Sequence, residues 1–107
     1  MQKTKEKIEV MKITIIGAGN MGGAIAGGLI NSKTIEGKDL TIADINQANL
    51  DTLQKLDSNI TVKTNNTEST KNADVIIVAV KPWLMQSVLE GINPSIQDNA
   101  ILISIAA

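Results

Sequence analysis

The sequence predicts an α/β fold: a doubly wound parallel sheet with helices on both faces, in a single domain. Short apolar runs alternate with longer stretches of helical period, which is typical of repeated strand, helix, strand units. The segment ADVIIVAV is apolar after its aspartate, as a central parallel strand buried on both faces should be. At 107 residues, the chain has room for one such domain.

Five strands are predicted, each from a run in which apolar and β-branched residues are frequent. In chain order they cover Met11 to Ile16, Leu40 to Asp44, Ile60 to Lys63, Asp74 to Val80 and Asn99 to Ile105. The segments between most of them carry helical periodicity, so neighbouring strands are expected to be parallel.

Helices are predicted where apolar residues recur at helical spacing. They cover Asn20 to Asn31, Gln47 to Leu56 and Pro82 to about Glu90, while the polar run Lys63 to Asn72 has room for one helical turn at most. In the second helix, Leu50, Leu53 and Leu56 share one face, which is expected to be buried.

Residue types at the helix ends support these bounds. Asn46 precedes the second helix, where its side chain can cap the free amides. Pro82 suits the first turn of the last helix, because its missing N–H is not needed there. Gly91 is expected to stop that helix.

The composition excludes several classes of site. The formal net charge is −1, the ten cationic residues are all lysine, and Trp83 is the sole aromatic residue. Nucleic-acid binding normally needs a basic stripe and often aromatic platforms, so no nucleic acid partner is expected. The chain has no Cys and no His, which removes a thiolate nucleophile, an imidazole base, a zinc cluster and any disulfide. No metal site is expected.

The sequence shows no export signal or membrane segment. Residues 1–10, MQKTKEKIEV, are charged where a signal peptide needs an apolar run. No stretch approaches the length of a transmembrane helix. We therefore expect a cytoplasmic protein without membrane contact, in which residues 1–10 are a polar extension and residues 11–107 form the folded domain.

The residues for chemistry are concentrated where the first strand meets the first helix, in the run ITIIGAGNMGGAIAGGL. Gly17 allows a tight turn, Gly19 lets the backbone approach a pyrophosphate, and Gly22 lets the helix pack closely on the strand. The helix then offers free amides and a partial positive charge to the phosphates. Because this GxGxxG pattern follows a predicted strand and opens a predicted helix, it predicts a Rossmann-type dinucleotide-binding domain with strand order 3-2-1-4-5.

These glycines have a second interpretation. Glycines also serve turns and tight packing, so a glycine-rich packing helix without a ligand stays open. Further glycines in the helix each cost about 1 kcal/mol relative to alanine and are not needed for phosphate. We expect these to be contact points with the sheet: Gly23, Gly27 and Gly28.

Asp44, at the end of the second predicted strand, bears on the choice of cofactor. It follows the glycine loop by about the twenty residues expected of the acidic residue that binds the adenosine ribose. Its charge would repel the extra phosphate of NADP, Ile45 cannot donate to a phosphate, and the chain has no Arg for a bidentate clamp. We therefore expect NADH or NADPH as the cofactor, with NADH favoured. Alternatively, Asp44 is a loop carboxylate that caps the next helix.

The chain resembles a known family in four segments taken in order. They are IIGAGNMGGAIAGGL, Asn66 within KTNNTE, ADVIIVAVKP and ILISIAA, and they are similar to the amino-terminal domain of pyrroline-5-carboxylate reductase. The resemblance covers nearly all of the chain from Met11 to Ala107. Similar glycine loops occur in hydroxyisobutyrate-type dehydrogenases and in coenzyme F420-dependent NADP reductases, whereas the VKP and SIAA segments favour the pyrroline-5-carboxylate reductases.

The resemblance implies roles beyond the glycine loop. In the family, the backbone matching Val80 to Pro82 lies along the cofactor, and the residue matching Asn66 contacts its adenosine side. The loop matching Ser104 to Ala107 approaches the nicotinamide. From the residues alone, Lys81 would be a solvated cation, Asn66 a turn residue and Ser104 a strand hydroxyl. The candidate cofactor-binding residues are Gly17, Ala18, Gly19, Asn20, Met21, Gly22, Asp44, Asn66, Val80, Lys81, Pro82, Ser104 and Ala106.

The reaction that the resemblance implies is the last step of proline synthesis. Hydride passes from the reduced nicotinamide to the imine carbon of the small-molecule substrate 1-pyrroline-5-carboxylate. This transfer needs a positioned cofactor and no protein nucleophile.

The family continues into a helical domain that forms the dimer and supplies much of the substrate pocket. We therefore expect this chain to be the cofactor domain of a longer, homo-oligomeric enzyme, inactive alone and without a catalytic residue of its own. Two alternatives stay open. One is a stand-alone nucleotide-binding module, and the other is the cofactor domain of a β-hydroxyacid dehydrogenase.

Overall fold

Five parallel strands form one sheet in the computed structural model, which describes residues 11–106. The strands are β1 (Ile13–Ile16), β2 (Leu40–Ala43), β3 (Thr61–Lys63), β4 (Val75–Val80) and β5 (Ile101–Ala106). Their order is β3-β2-β1-β4-β5 and every neighbouring pair is parallel. The predicted fold class and strand order are confirmed, and the predicted extension at residues 1–10 lies outside the described residues.

A helix lies on each crossover between consecutive strands. The helices are α1 (Asn20–Asn31), α2 (Gln47–Gln54), α3 (Asn66–Thr70) and α4 (Pro82–Ile92), with short 3-10 turns at Gly37–Asp39 and Asn93–Ser95. The predicted bounds of α1 are confirmed, as is the cap of α2, where the Asn46 side chain accepts from the amides of Ala48 and Asn49 at 3.0 and 3.3 Å. None of the helices between residues 11 and 106 is long and apolar enough to cross a bilayer.

The core has one layer on each face of the sheet. On the first face, α1 and α2 pack over Ile15 and Ile42, and Leu50 of α2 is fully buried. On the second face, α4 packs over Ile76 and Val78. Each such aliphatic side chain contributes about 1.5–3 kcal/mol by leaving water, so the central strands are the most strongly held part of the domain.

Two predicted helix ends are wrong. α2 ends at Gln54, so Leu56 lies beyond the helix and is exposed, whereas Leu50 and Leu53 are buried as predicted. α4 continues through Gly91 to Ile92, because burial of Ile92 in the core of the second face holds two more residues in the helix. Burial against the sheet therefore overrides the local signal of the glycine.

The prediction that three α1 glycines contact the sheet is also wrong. Gly22 and Ala26, one turn apart, form the buried face of α1. A Cβ on Gly23 would meet the Leu53 side chain of α2 at 3.3 Å, and a Cβ on Gly27 or Gly28 would have no atom of the described chain within 4 Å. These three positions therefore lie beside or away from the sheet-facing side of the helix.

Strand β5 leaves apolar side chains exposed at the edge of the sheet. It pairs with β4 alone among the described strands, and Ile101, Leu102 and Ile103 are exposed by 58, 43 and 42%. An unpaired, apolar edge strand is a template for pairing with a second chain. We therefore expect the 107-residue chain to self-associate through this edge.

Sedimentation velocity at increasing concentration checks this expectation. The unmodified chain should form concentration-dependent dimers or larger species, and Leu102→Lys should be monomeric because lysine on an edge strand opposes pairing. Leu56→Lys is the matched control, since Leu56 is exposed outside the edge, and it should associate as the unmodified chain does. A monomeric profile at every concentration contradicts the expectation.

Candidate functional site

The carboxyl ends of the strands lie along one edge of the sheet, because all five strands are parallel. The glycine loop follows β1, Asp44 follows β2, and α3 begins with Asn66 shortly after β3. Lys81 follows β4, and Ala106 is the last residue of β5. In open α/β sheets, ligands bind outside this edge where the strand order reverses, which here is the crevice between β1 and β4.

Gly17 and Gly22 are required by the shape of the loop itself. The Gly17 amide donates to the Ala43 carbonyl at 2.8 Å, and its φ of 108° disfavours any side chain. A Cβ on Gly17 would overlap the Ala79 carbonyl, and a Cβ on Gly22 would overlap the Gly17 carbonyl oxygen. These two glycines hold β1, β2, β4 and α1 at close distance.

Gly19 is different, because nothing within the described chain demands a glycine there. Its φ is −79°, and a Cβ would meet no heavy atom of residues 11–106 within 4 Å. Alanine could therefore take this conformation without a clash inside the protein. The missing side chain leaves a bare backbone at the mouth of the crevice, where a pyrophosphate could approach closely.

The amino terminus of α1 is free to bind an anion. Gly19 caps this helix with no side-chain hydrogen bond from residues 11–106, and the first turn contains no acidic residue. The amides of the first turn and the positive end of the helix dipole are therefore available to phosphate oxygens. The residues present fit the pyrophosphate of a dinucleotide.

Asp44 connects the glycine loop to β2 and to the start of α2. One carboxylate oxygen accepts from the Ala18 amide at 2.7 Å and the other accepts from the Asn46 amide at 2.8 Å. Each oxygen keeps a further lone pair with which it could accept from a ribose hydroxyl. Sequence reasoning missed the Ala18 contact. The Asn46 contact was foreseeable, because an aspartate commonly accepts from the amide two residues later.

The side-chain oxygen of Asn66 is a hydrogen-bond acceptor to which no described residue donates. Asn65, one residue earlier, caps α3 by accepting from the Glu68 amide at 2.9 Å. The side-chain oxygen of Asn66 is buried and has no hydrogen-bond partner among residues 11–106. Buried polar atoms are nearly always paired, so an orphaned acceptor near the end of β3 suits a donor group of a bound ligand.

The ends of β4 and β5 complete the crevice. Lys81 is exposed with an extended backbone, and Pro82 is the first residue of α4 as predicted. Ala106 pairs with Val80 at the edge, whereas Ser104 pairs with Val78, two residues inside β5. Residues 104 to 106 are therefore strand where a loop was expected, and the contact of Ser104 with the nicotinamide stays a prediction.

The fold, the glycine loop, the uncapped helix and the acidic residue after β2 together define a dinucleotide-binding domain of the Rossmann type. Residues 12–107 match the family described as NADP oxidoreductase, coenzyme F420-dependent. The chain belongs to this family.

Within this family, the chain is similar to several pyrroline-5-carboxylate reductases. The chain is 37% identical over 101 residues to a pyrroline-5-carboxylate reductase of Methanosarcina acetivorans, covering 94% of this chain and 37% of that protein. A solved pyrroline-5-carboxylate reductase of Coxiella burnetii superposes with a TM-score of 0.83 at 28% identity, over 92% of this chain and 36% of that one. A pyrroline carboxylate reductase of Plasmodium falciparum with NADP bound superposes with a TM-score of 0.73 at 30% identity, over 90% of this chain and 33% of that one.

These relatives confirm the resemblance to the cofactor-binding domain of pyrroline-5-carboxylate reductases. The chain spans about a third of the length of the relatives that it matches. The similarity therefore concerns the domain that holds the cofactor.

Proposed function

We propose that this chain holds the reduced nicotinamide cofactor for a pyrroline-5-carboxylate reductase. The observation that carries the proposal is the amino terminus of α1, which begins after Gly19 and has no side-chain cap from residues 11–106. The relatives of the chain are pyrroline-5-carboxylate reductases. When bound, the cofactor would supply a hydride to the imine carbon of 1-pyrroline-5-carboxylate, and with a proton gained at the ring nitrogen the product is proline. The parent enzyme acts in the cytoplasm as a homo-oligomer, with the substrate pocket built mainly by a further helical domain.

The role of this chain's own residues is to bind the cofactor and to orient its nicotinamide ring. The first-turn amides of α1 would hold the pyrophosphate, the Asn66 oxygen would accept from the adenosine side, and the backbone from Val80 to Pro82 would lie along the cofactor. Ser104 and Ala106 of β5 would flank the nicotinamide. Holding the reacting groups at the right distance and angle accounts for much of the rate enhancement of such a reaction.

Asp44 favours NADH in this proposal. Its carboxylate accepts from the ribose hydroxyls and repels a phosphate at the same place. Ile45 is 86% exposed and offers no donor, and the chain contains no Arg. One like-charge contact in water costs about 1 kcal/mol at 4 Å, so the dissociation constant of NADPH should exceed that of NADH by about fivefold. Tighter binding of NADPH contradicts this preference.

The activity is tested by following NADH oxidation and proline formation with 1-pyrroline-5-carboxylate. The 107-residue chain should bind cofactor and form no proline, whereas the longer parent protein should form proline. Measurable turnover by the 107-residue chain alone contradicts its assignment as a cofactor domain. A parent that oxidises β-hydroxyacids and leaves pyrroline-5-carboxylate unchanged identifies the dehydrogenase instead, and a gene that encodes nothing after Ala107 favours the stand-alone module.

A further inference from the structure

A second cleft lies on the face of the sheet that carries α3, away from the glycine loop. Its volume is about 350 Å³, at the small end of the range of about 300–1,000 Å³ for ligand pockets. It exists because α3 is five residues long, about a third to a half of a typical crossover helix. Part of β2 and β3 is therefore left uncovered on this face.

The floor of this cleft is a row of hydroxyl side chains. Thr14 of β1 pairs with Thr41 of β2, which pairs with Thr61 of β3. All three line the cleft on the same face, because they share one register position across neighbouring strands. The Thr14 hydroxyl donates to the Ser69 carbonyl of α3 at 2.6 Å, which fixes one wall of the cleft to its floor.

Asp39, directly before β2, lines the cleft, and one of its carboxylate oxygens has no hydrogen-bond donor among the described residues. The residue is 6% exposed, and its Oδ2 atom is buried without a hydrogen-bond partner among the described residues. Its Oδ1 atom lies 3.7 Å from the Lys12 ammonium, which is longer than a hydrogen bond. A buried carboxylate oxygen without a donor is unfavourable, so this site is built to receive a hydrogen-bond donor.

The charges around Asp39 restrict what that donor can be. Three lysines and two carboxylates line the cleft. The Lys63 ammonium lies 4.0 Å from the Glu68 carboxylate, so these two charges pair with each other. The Lys12 ammonium lies 3.7 Å from Asp39, and Lys38, the preceding residue, also lines the cleft, so a simple amine would meet excess positive charge. A simple carboxylate would meet the buried charge of Asp39. No group of three Asp, Glu, His or Cys residues that could hold a metal occurs in the described part of the chain.

We propose that this cleft binds a small α-amino acid as its zwitterion. The ammonium group donates to the carboxylate of Asp39, and the carboxylate group lies toward Lys12 and Lys38. The threonine row accommodates the polar backbone atoms of the ligand. The site is distinct from the cofactor crevice, since neither the glycine loop nor Asp44 contributes to its lining.

The test compares three small molecules of similar size: L-alanine, isopropylamine, which lacks the carboxylate, and propionate, which lacks the ammonium. Amide chemical shifts of the 107-residue chain are followed by NMR at low ionic strength. L-alanine should give saturable shifts at Thr14, Thr41 and Ser69 and leave the glycine loop unmoved. Isopropylamine and propionate should each bind about tenfold more weakly, because each lacks one charge-assisted contact.

Asp39→Asn removes the charge and keeps the shape of the side chain. It should weaken L-alanine binding about tenfold or more and leave NADH binding unchanged. Asp98→Asn is the matched control, because Asp98 is exposed and outside the cleft, and it should bind L-alanine normally. Absence of saturable shifts with L-alanine overturns the proposal, and so does equal binding by Asp39→Asn or by isopropylamine. NADH titration of the same samples tests the cofactor site separately.

Discussion

Gly19→Ala should leave the domain folded and weaken NADH binding by about ten- to a hundredfold. A Cβ at Gly19 meets no atom of residues 11–106 within 4 Å, so the folded state gains no clash. The same methyl group would lie where the pyrophosphate approaches the backbone. Steric overlap of one methyl group costs about 1–3 kcal/mol, which corresponds to the stated loss of affinity.

Gly22→Ala makes the same chemical change with the opposite outcome. Its Cβ would overlap the Gly17 carbonyl oxygen, so α1 must move away from β1. We expect a loss of about 3 kcal/mol or more in the free energy of unfolding. Gly28→Ala is the control for both, because it also has open space around its Cβ and lies far along α1, and it should bind NADH normally with stability raised by about 1 kcal/mol.

Urea unfolding and NADH titration of the three variants separate the two roles. A Gly19→Ala variant that binds NADH as tightly as the unmodified chain would show that the loop does not approach a pyrophosphate. A Gly19→Ala variant as unstable as Gly22→Ala would show that the open space at Gly19 is absent in solution.

Asp44→Ala should lower stability and abolish the preference for NADH. The Ala18 amide is buried and loses its acceptor at 2.7 Å, and the Asn46 amide loses its acceptor at 2.8 Å. An unpaired buried donor costs about 1–3 kcal/mol, so we expect a loss of about 2 kcal/mol in the free energy of unfolding. Without the carboxylate, NADPH meets no repulsion, and the expected fivefold ratio of dissociation constants should fall to about one.

Asp51→Ala is the control for this substitution. Asp51 is exposed and accepts from the Gln47 side chain at 2.9 Å, so its removal should change stability by less than about 0.5 kcal/mol. Calorimetric titration with both cofactors gives the ratio. An unchanged preference in Asp44→Ala would mean that another residue discriminates between NADH and NADPH.

Local signals were sufficient for much of the fold. The bounds of α1 follow from the glycine loop before it and its apolar periodicity, and the order of the strands follows from the alternation of strands and helices. The helix end predicted at Gly91 is wrong because burial of Ile92 against the sheet extends α4 past the glycine. Tertiary packing of this kind has no signature in a short sequence window.

The sequence predicted where the candidate site lies, whereas the contacts that shape it were visible only in the structure. The motif located Gly17, Gly19 and Gly22, and the structure separates them into two that the loop requires and one that leaves room for a ligand. The bond from the Ala18 amide to Asp44 joins residues 26 apart in sequence, and the orphaned oxygen of Asn66 depends on burial. Neither can be read from spacing alone.

Titration of the chain with NADH, followed by energy transfer from Trp83, tests the central claim most directly. Trp83 is the sole tryptophan, 76% exposed and one residue after Pro82, in a domain whose radius of gyration is 13.6 Å. NADH bound along Lys81 and Pro82 would lie beside Trp83 and would accept its emission. Saturable quenching that Gly19→Ala weakens is the result we predict, and linear, unsaturated quenching that is equal in both chains would contradict a cofactor site at the glycine loop.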